Sequence, residues 1–321
     1  MTDTRFTETD NITGDIGADF DKSRRSYRKI MRDLLVQIIE KQDFPVAARL
    51  FSMACFTFEL DSFVHTHGSA LWGEKFNLEV HRVAGNGYEA LWCQDFPDTG
   101  AIDPVHLERP VPMILSLFQG TKDRCRPEFF RMLGSSIALL QSDEPPEDAS
   151  GPEPYISCAP PPHASRRESF AHSPEAPSNP LSRGGGLAGL SDENRRALTM
   201  GFCRRRKRLH ERLFTELETE TRHFCERILG YRDFERFENL FEFVQRMVID
   251  TALFRFFLIS SPAMEKIASS KTEATGADSR MVAEDIADTI VREEKAVLDL
   301  QKVLIEQQMR SLAETTLLIR I

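Results

Sequence analysis

The sequence lacks the marks of several protein classes. It has no CxxC pair: Cys55, Cys93, Cys125, Cys158, Cys203 and Cys225 stand more than twenty residues apart. A chain of 321 residues can build its core without disulfide staples, so free thiols in an intracellular protein are expected. No uncharged apolar run reaches the roughly 18 residues of a membrane span. The greasiest segment, Leu240 to Ile259, is broken by Glu242, Arg246, Asp250 and Arg255 and reads as a core helix. Met1 to Asp21 is polar, which excludes a secretory h-region there. There is no P-loop and no GxSxG nucleophile elbow. Basic charge is also in deficit: 41 Lys+Arg against 50 Asp+Glu leave a net charge of −9. Bulk charge therefore does not draw the chain to nucleic acid or to an anionic membrane.

What is present is helical periodicity. Ile30, Met31, Leu34, Leu35, Ile38 and Ile39 recur at three- and four-residue steps, one apolar stripe of an α-helix. Lys41 to Pro45 interrupts it, with Asp43 as the expected N-cap of a second helix and Pro45 suited to its first turn. Ala47, Ala48, Phe51, Ala54 and Cys55 form one side of that second helix, and the pair predicts an antiparallel hairpin. Further helical spacing runs over 69–85, 110–118, 129–141, 209–230 and 237–259. A last helix is expected from Val282 to Ile321, about 60 Å long if straight. No strand pattern of comparable length competes, so the fold class is read as all-α.

Composition divides the chain. Ten of the seventeen prolines and the Gly184-Gly185-Gly186 run fall between Asp143 and Asp192. Such a segment buries too little apolar surface to offset its chain entropy and reads as a disordered linker. The expected organisation is a disordered tail over 1–22, a domain of helical hairpins over 23–142, the linker over 143–192, and a second helical domain over 193–321. Within the last, 269–280 reads as a flexible loop.

Candidate chemistry is sparse. Gly85-Asn86-Gly87-Tyr88-Glu89-Ala90 spells GxGxxA, the outline of a dinucleotide fingerprint. The charged residues in front of it (Glu79, His81, Arg82) do not suit the buried strand that motif requires, so the glycines read as a helix end and a turn. His65 and His67 point about 200° apart if helical, and no second pair completes a tetrahedral metal set. No cofactor, metal or catalytic residue is assigned, and the chain is read as a non-enzyme. The sharpest signal is Arg204-Arg205-Arg206-Lys207-Arg208, five consecutive cations in an acidic chain. It reads as a nuclear-import signal or a phosphate-contacting patch, against the plainer alternative of a solvated helix start. Ser169, after Arg166 and Arg167, reads as a basophilic-kinase site. Val291, Leu298, Ile305, Leu312 and Ile319 recur every seven residues and form a seam, for a partner helix or for packing within the chain.

Leu34, Ile38, Phe44, Ala47, Phe51 and Ala54 follow the spacing 4, 6, 3, 4, 3 of a tetratricopeptide-like hairpin, with small residues where its helices approach closely. The proline that usually ends such a unit is missing, and no second copy is evident. Asp43 to Phe51, Asp61, Leu71-Trp72-Gly73-Glu74-Lys75-Phe76 and Pro127-Glu128-Phe129-Phe130-Arg131-Met132-Leu133-Gly134, in that order, resemble the fungal RNA polymerase I-specific initiation factor family. That family is the tetratricopeptide-like subunit of the core factor, counterpart of a subunit of the animal promoter selectivity factor. The resemblance covers about residues 28–140. It implies a nuclear protein-interaction subunit of a promoter-recognition complex in rRNA gene transcription, reaching DNA through partner subunits, with no membrane and no small-molecule substrate. The alternative is a cytoplasmic scaffold or coiled-coil adaptor whose basic run is merely solvated.

Overall fold

The computed structural model describes residues 24–67, 72–95, 104–116, 125–142, 191–232, 237, 239–270, 276–293, 298, 301–302, 304–305, 309 and 311–321. The chain is all-α, and no strand occurs among the described residues. Its α-helices are α1 (Arg24–Glu40), α2 (Val46–His67), α3 (Trp72–Ala84), α4 (Gly87–Asp95), α5 (Pro110–Ser116) and α6 (Pro127–Gln141), then α7 (Asp192–Tyr231), α8 (Leu240–Ile259), α9 (Pro262–Ser269), α10 (Gly276–Arg292) and α11 (Leu312–Ile319). The expected disordered tail, the linker up to Leu190 and Ser169 within it lie outside the described residues.

The α1–α2 hairpin forms as the periodicity predicts, but its corner is capped from afar. Val46 donates its backbone N–H to Glu218 Oε2 of α7 at 2.7 Å, while Asp43, the expected N-cap, is exposed. The opposite end of the corner is closed by Arg49, which is buried. Its guanidinium donates to the carbonyl of Ile39 and, at 2.7 Å, to that of Phe44, so the orphan carbonyls after α1 are satisfied by a side chain of the next helix. Lys41 reaches the α3–α4 turn, donating to the Val83 carbonyl (2.8 Å), Asn86 Oδ1 (2.6 Å) and Glu89 Oε1 (3.0 Å). Asn86, not a glycine, takes the left-handed conformation there (φ 57°), which asparagine tolerates better than most residues. The GxGxxA stretch is thus a helix end and a turn into α4.

The centre of the molecule is α8, in which every residue except Glu242 and Arg255 is buried. It packs against α2, α7, α10 and α11, so helices from before and after the proline-rich segment share one core. Its interior charges are accommodated by spacing. Glu242, Arg246 and Asp250 recur every fourth residue and form one stripe. Arg246 pairs with Glu242 at 2.8 Å, donates to the Leu298 carbonyl at 3.0 Å and lies over the Phe237 ring. Asp250 is held by Arg232 and Gln301, and Gln245 donates to the Met309 carbonyl at 2.6 Å. A second long-range cap ties the halves together: Asp61 Oδ2 on α2 accepts the backbone N–H of Phe241 at the start of α8, 2.6 Å away.

Two expectations change. The terminal stretch is not one rod from Val282 to Ile321: α10 ends at Arg292, and α11 starts afresh at Ser311 with a complete capping box to Glu314. The loop expected over 269–280 is helical from Gly276 onward. The longest helix is α7, forty residues opened by Ser191, whose side chain accepts the Asn194 N–H at 3.2 Å. It bends at Leu213 (φ −133°, ψ 29°), with no proline or glycine near the bend. Before the bend α7 packs on α6, α8 and α9, with Phe202 stacked on Phe256; beyond it, on α1 and α8.

Candidate functional site

The basic run does not form an open patch. The helix containing it begins twelve residues earlier, so the cations sit in its interior and not at the N-terminus where the sequence placed them. Arg205 and Arg206 are buried. Arg205 pairs with the buried Glu265 of α9 at 2.8 Å, and Arg208 reaches the same carboxylate at 2.5 Å. Burial lowers the Arg205 pKa, with the Glu265 charge opposing that shift. Arg206 donates to the Arg320 carbonyl at 2.6 Å, joining α7 to the end of α11. Only Arg204 and Lys207 of the five are exposed. Three of the five cations thus serve internal packing and two face solvent, because a helix turns consecutive residues to all sides.

The seven-residue seam is mostly half-buried. Ile319 is buried, Ile305 and Leu312 pack against the core, and Val291 and Leu298 are half-buried. The hairpin residues do what the spacing required. Leu34, Ile38 and Ala54 are buried, while Phe44, Ala47 and Phe51 pack on the core, the Phe51 ring 5.1 Å from that of Trp92. His65 and His67 are exposed in the last turn of α2, His67 stacked on Phe63. Among the described residues no three His, Cys, Asp or Glu side chains are placed to hold a metal ion, and no single helix is long and apolar enough to cross a membrane. Cys55 and Cys225 are buried, and desolvation pushes each thiol up to about 12.

A concave feature lies where α7 bends. Arg206, His210 and Phe214 follow one another at four-residue steps, and Leu217, Glu218 and Thr221 continue the same face beyond the bend. Arg255, Leu258 and Ile259 of α8 form the facing wall. The cleft is narrow, with free space for about one water molecule, so it does not engulf a metabolite. Leu217, Leu258 and Ile259 supply apolar surface, and Phe214, 38% exposed, stands at the rim with its ring 4.4 Å from that of His210.

The polar atoms of this groove are unevenly matched. Two guanidinium groups, Arg206 and Arg255, line it with one carboxylate, Glu218. Arg255 Nη2 is 3.9 Å from Glu218 Oε1, at the edge of ion-pair range, and the other oxygen of Glu218 is taken by the Val46 N–H. Arg255 Nη1 is buried and hydrogen-bonds to no described residue. Glu218 also lies in the field of Arg49, so its charge is shared. Thr221 spends its hydroxyl proton on the Leu217 carbonyl at 2.6 Å.

None of these groove residues except Arg206 was singled out by the sequence. One signal was legible: Arg255 interrupts the apolar run Thr251 to Ile259, where a cation needs a reason. The partners of Arg255 come from a helix that the sequence does not place beside it. Comparison with family models, with curated proteins and with solved structures finds no match to this chain.

Proposed function

We propose that this chain is a helical protein–protein interaction subunit that binds its partners through helix faces, with the groove at the α7 bend as one contact point. The observation that carries this reading is the rim of that cleft, where the partly exposed Phe214 stands beside arginine over aliphatic side chains. Phenylalanine and arginine are enriched at protein interfaces for their contact area and planar hydrogen bonding. The α3–α4 hairpin adds Leu78 and Leu91, 65% and 48% exposed, a second place where apolar surface faces outward.

The resemblance over residues 28–140 names the assembly to test first, an RNA polymerase I promoter-recognition complex acting in rRNA gene initiation. A nuclear location rests on that resemblance. The burial of Arg205 and Arg206 favours the second reading, a scaffold without a nuclear role, since an import receptor needs the basic side chains free. Co-purification with the tagged full-length chain separates the two. Recovery of RNA polymerase I promoter-factor subunits supports the first reading; cytoskeletal or vesicle proteins support the second. A chain recovered without any stoichiometric partner would defeat both.

A further inference from the structure

We propose that Lys41, Asn86 and Glu89 form a self-modifying site, in which the Lys41 amine displaces ammonia from the Asn86 side chain and closes an isopeptide bond. Three side chains of complementary chemistry meet there: an amine, a carboxamide and a carboxylate. Lys41 follows α1, Asn86 forms the turn between α3 and α4, and Glu89 lies in the first turn of α4. The Lys41 Nζ stands 2.6 Å from Asn86 Oδ1 and 3.0 Å from Glu89 Oε1, and it donates to the Val83 carbonyl at 2.8 Å. These acceptors hold the amine against the carboxamide it would attack. Fixing two reactants in contact removes much of the entropic barrier that a bimolecular reaction faces.

Glu89 is suited to carry the protons. Its side chain is fully buried, and Oε2 has no hydrogen-bond partner among the described residues, so the carboxylate keeps an acceptor free while Oε1 faces the amine. Lys41 is 17% exposed, which leaves the displaced ammonia a short way out to water. The backbone points to the same residue. Asn86 stands between Gly85 and Gly87 with φ 57°, a conformation that a glycine adopts without strain. What asparagine adds at that position is its carboxamide.

In the reaction the Lys41 ammonium passes one proton to Glu89, and the freed electron pair on Nζ attacks Cγ of Asn86. The Cγ–Nδ2 bond breaks as Glu89 hands that proton to Nδ2. A second Nζ proton follows by the same route, so the leaving group departs as ammonium and Glu89 is restored. One amide is exchanged for another, and the α1–α2 corner becomes covalently tied to the α3–α4 turn.

Mass spectrometry of the denatured full-length chain, after incubation at neutral pH, reads the reaction directly. The wild type is expected to be lighter than its sequence by one ammonia, and digestion should yield a branched peptide joining Lys41 to Asn86. Asn86→Gly keeps the turn and removes the electrophile; Glu89→Gln keeps the shape and removes the proton carrier. Both should show the full sequence mass. A wild type at its sequence mass would overturn the proposal. So would an ammonia deficit with the two peptides unlinked, which marks a cyclic imide formed by attack of the Gly87 nitrogen on Asn86. A cross-link that persists in Glu89→Gln would remove Glu89 from the reaction. The wild-type digest decides the bond itself even if a variant misfolds.

Discussion

Adding one methyl group at Gly201 tests the closest approach between the helices before and after the proline-rich segment. Gly201 lies in the first half of α7, against the end of α6. A Cβ built there would overlap the Leu140 carbonyl oxygen and stand 3.0 Å from its carbonyl carbon and 3.2 Å from its Cα. Real Cβ contacts stay beyond about 3 Å and carbon–carbon contacts settle near ~3.5–4.0 Å, so clearing the carbonyl oxygen requires α6 to retreat by about an ångström, and the obstacle is backbone that no rotamer change removes. Overpacking of this kind costs about 1–3 kcal/mol, toward the upper end when the backbone must move. Against it stands the gain of about 1 kcal/mol from replacing glycine by alanine inside a helix. The net expectation for Gly201→Ala is a loss of about 2 kcal/mol, or roughly 4–8 °C in Tm for a folded region of this size. Gly230→Ala provides a control in the same helix. Its added Cβ meets nothing within 4 Å, so propensity alone should act and stability should hold or rise by up to about 1 kcal/mol. Urea denaturation followed by circular dichroism at 222 nm reads both. If Gly201→Ala is as stable as wild type or gains like Gly230→Ala, α6 and α7 do not pack at this distance and the shared core is wrong.

Three further outcomes follow from the polar contacts. Burial outweighs the two backbone hydrogen bonds at Asp61 and pushes its carboxyl up to about 6 from an ordinary 3.8. The folded chain therefore holds that proton more tightly than the unfolded one, and the stability this gives is full below about 4 and lost as pH rises through 6. Asp61→Asn keeps an acceptor for the Phe241 N–H without the buried charge. Its urea midpoint relative to wild type should be higher at pH 7 than at pH 4.5; the reverse trend would mean the charged cap is favourable. Glu265→Gln leaves Arg205 buried without its counter-charge and should cost about 3 kcal/mol, whereas Lys207→Gln, two residues along and exposed, should stay within about 0.5 kcal/mol. Equal effects would show that the run is solvated after all. Thiol labelling at pH 8 should spare Cys55 and Cys225, pushed up to about 12 and buried, until denaturant is added; modification of either at the rate of the half-buried Cys93, Cys125 or Cys203 would contradict their burial.

The helical hairpin was legible because its information is local. The apolar steps from Met31 to Ile39 place one stripe on one face whatever the rest of the chain does, and these residues are buried where the period put them. The caps were not legible in the same way. Asp43 satisfies every local rule for an N-cap, yet Glu218 holds that N–H from 172 positions away. The groove was hidden for the same reason: its two walls belong to different helices, and only their packing sets Arg255 opposite Phe214 and Glu218.

Sequence alone determined the all-α class, the apolar stripes and the compositional break after residue 142, because helical periodicity and chain entropy are properties of short windows. It also marked the cations at 204–208, without their meaning. Tertiary structure decided that meaning. Consecutive residues on a helix point to every side, so the same five charges are divided between solvent and a buried carboxylate by whatever lies alongside. It decided as well that the seven-residue seam lies half-buried along the core and that helices from both sides of the break share that core, since apolar periodicity says that a face must be covered but not by which neighbour.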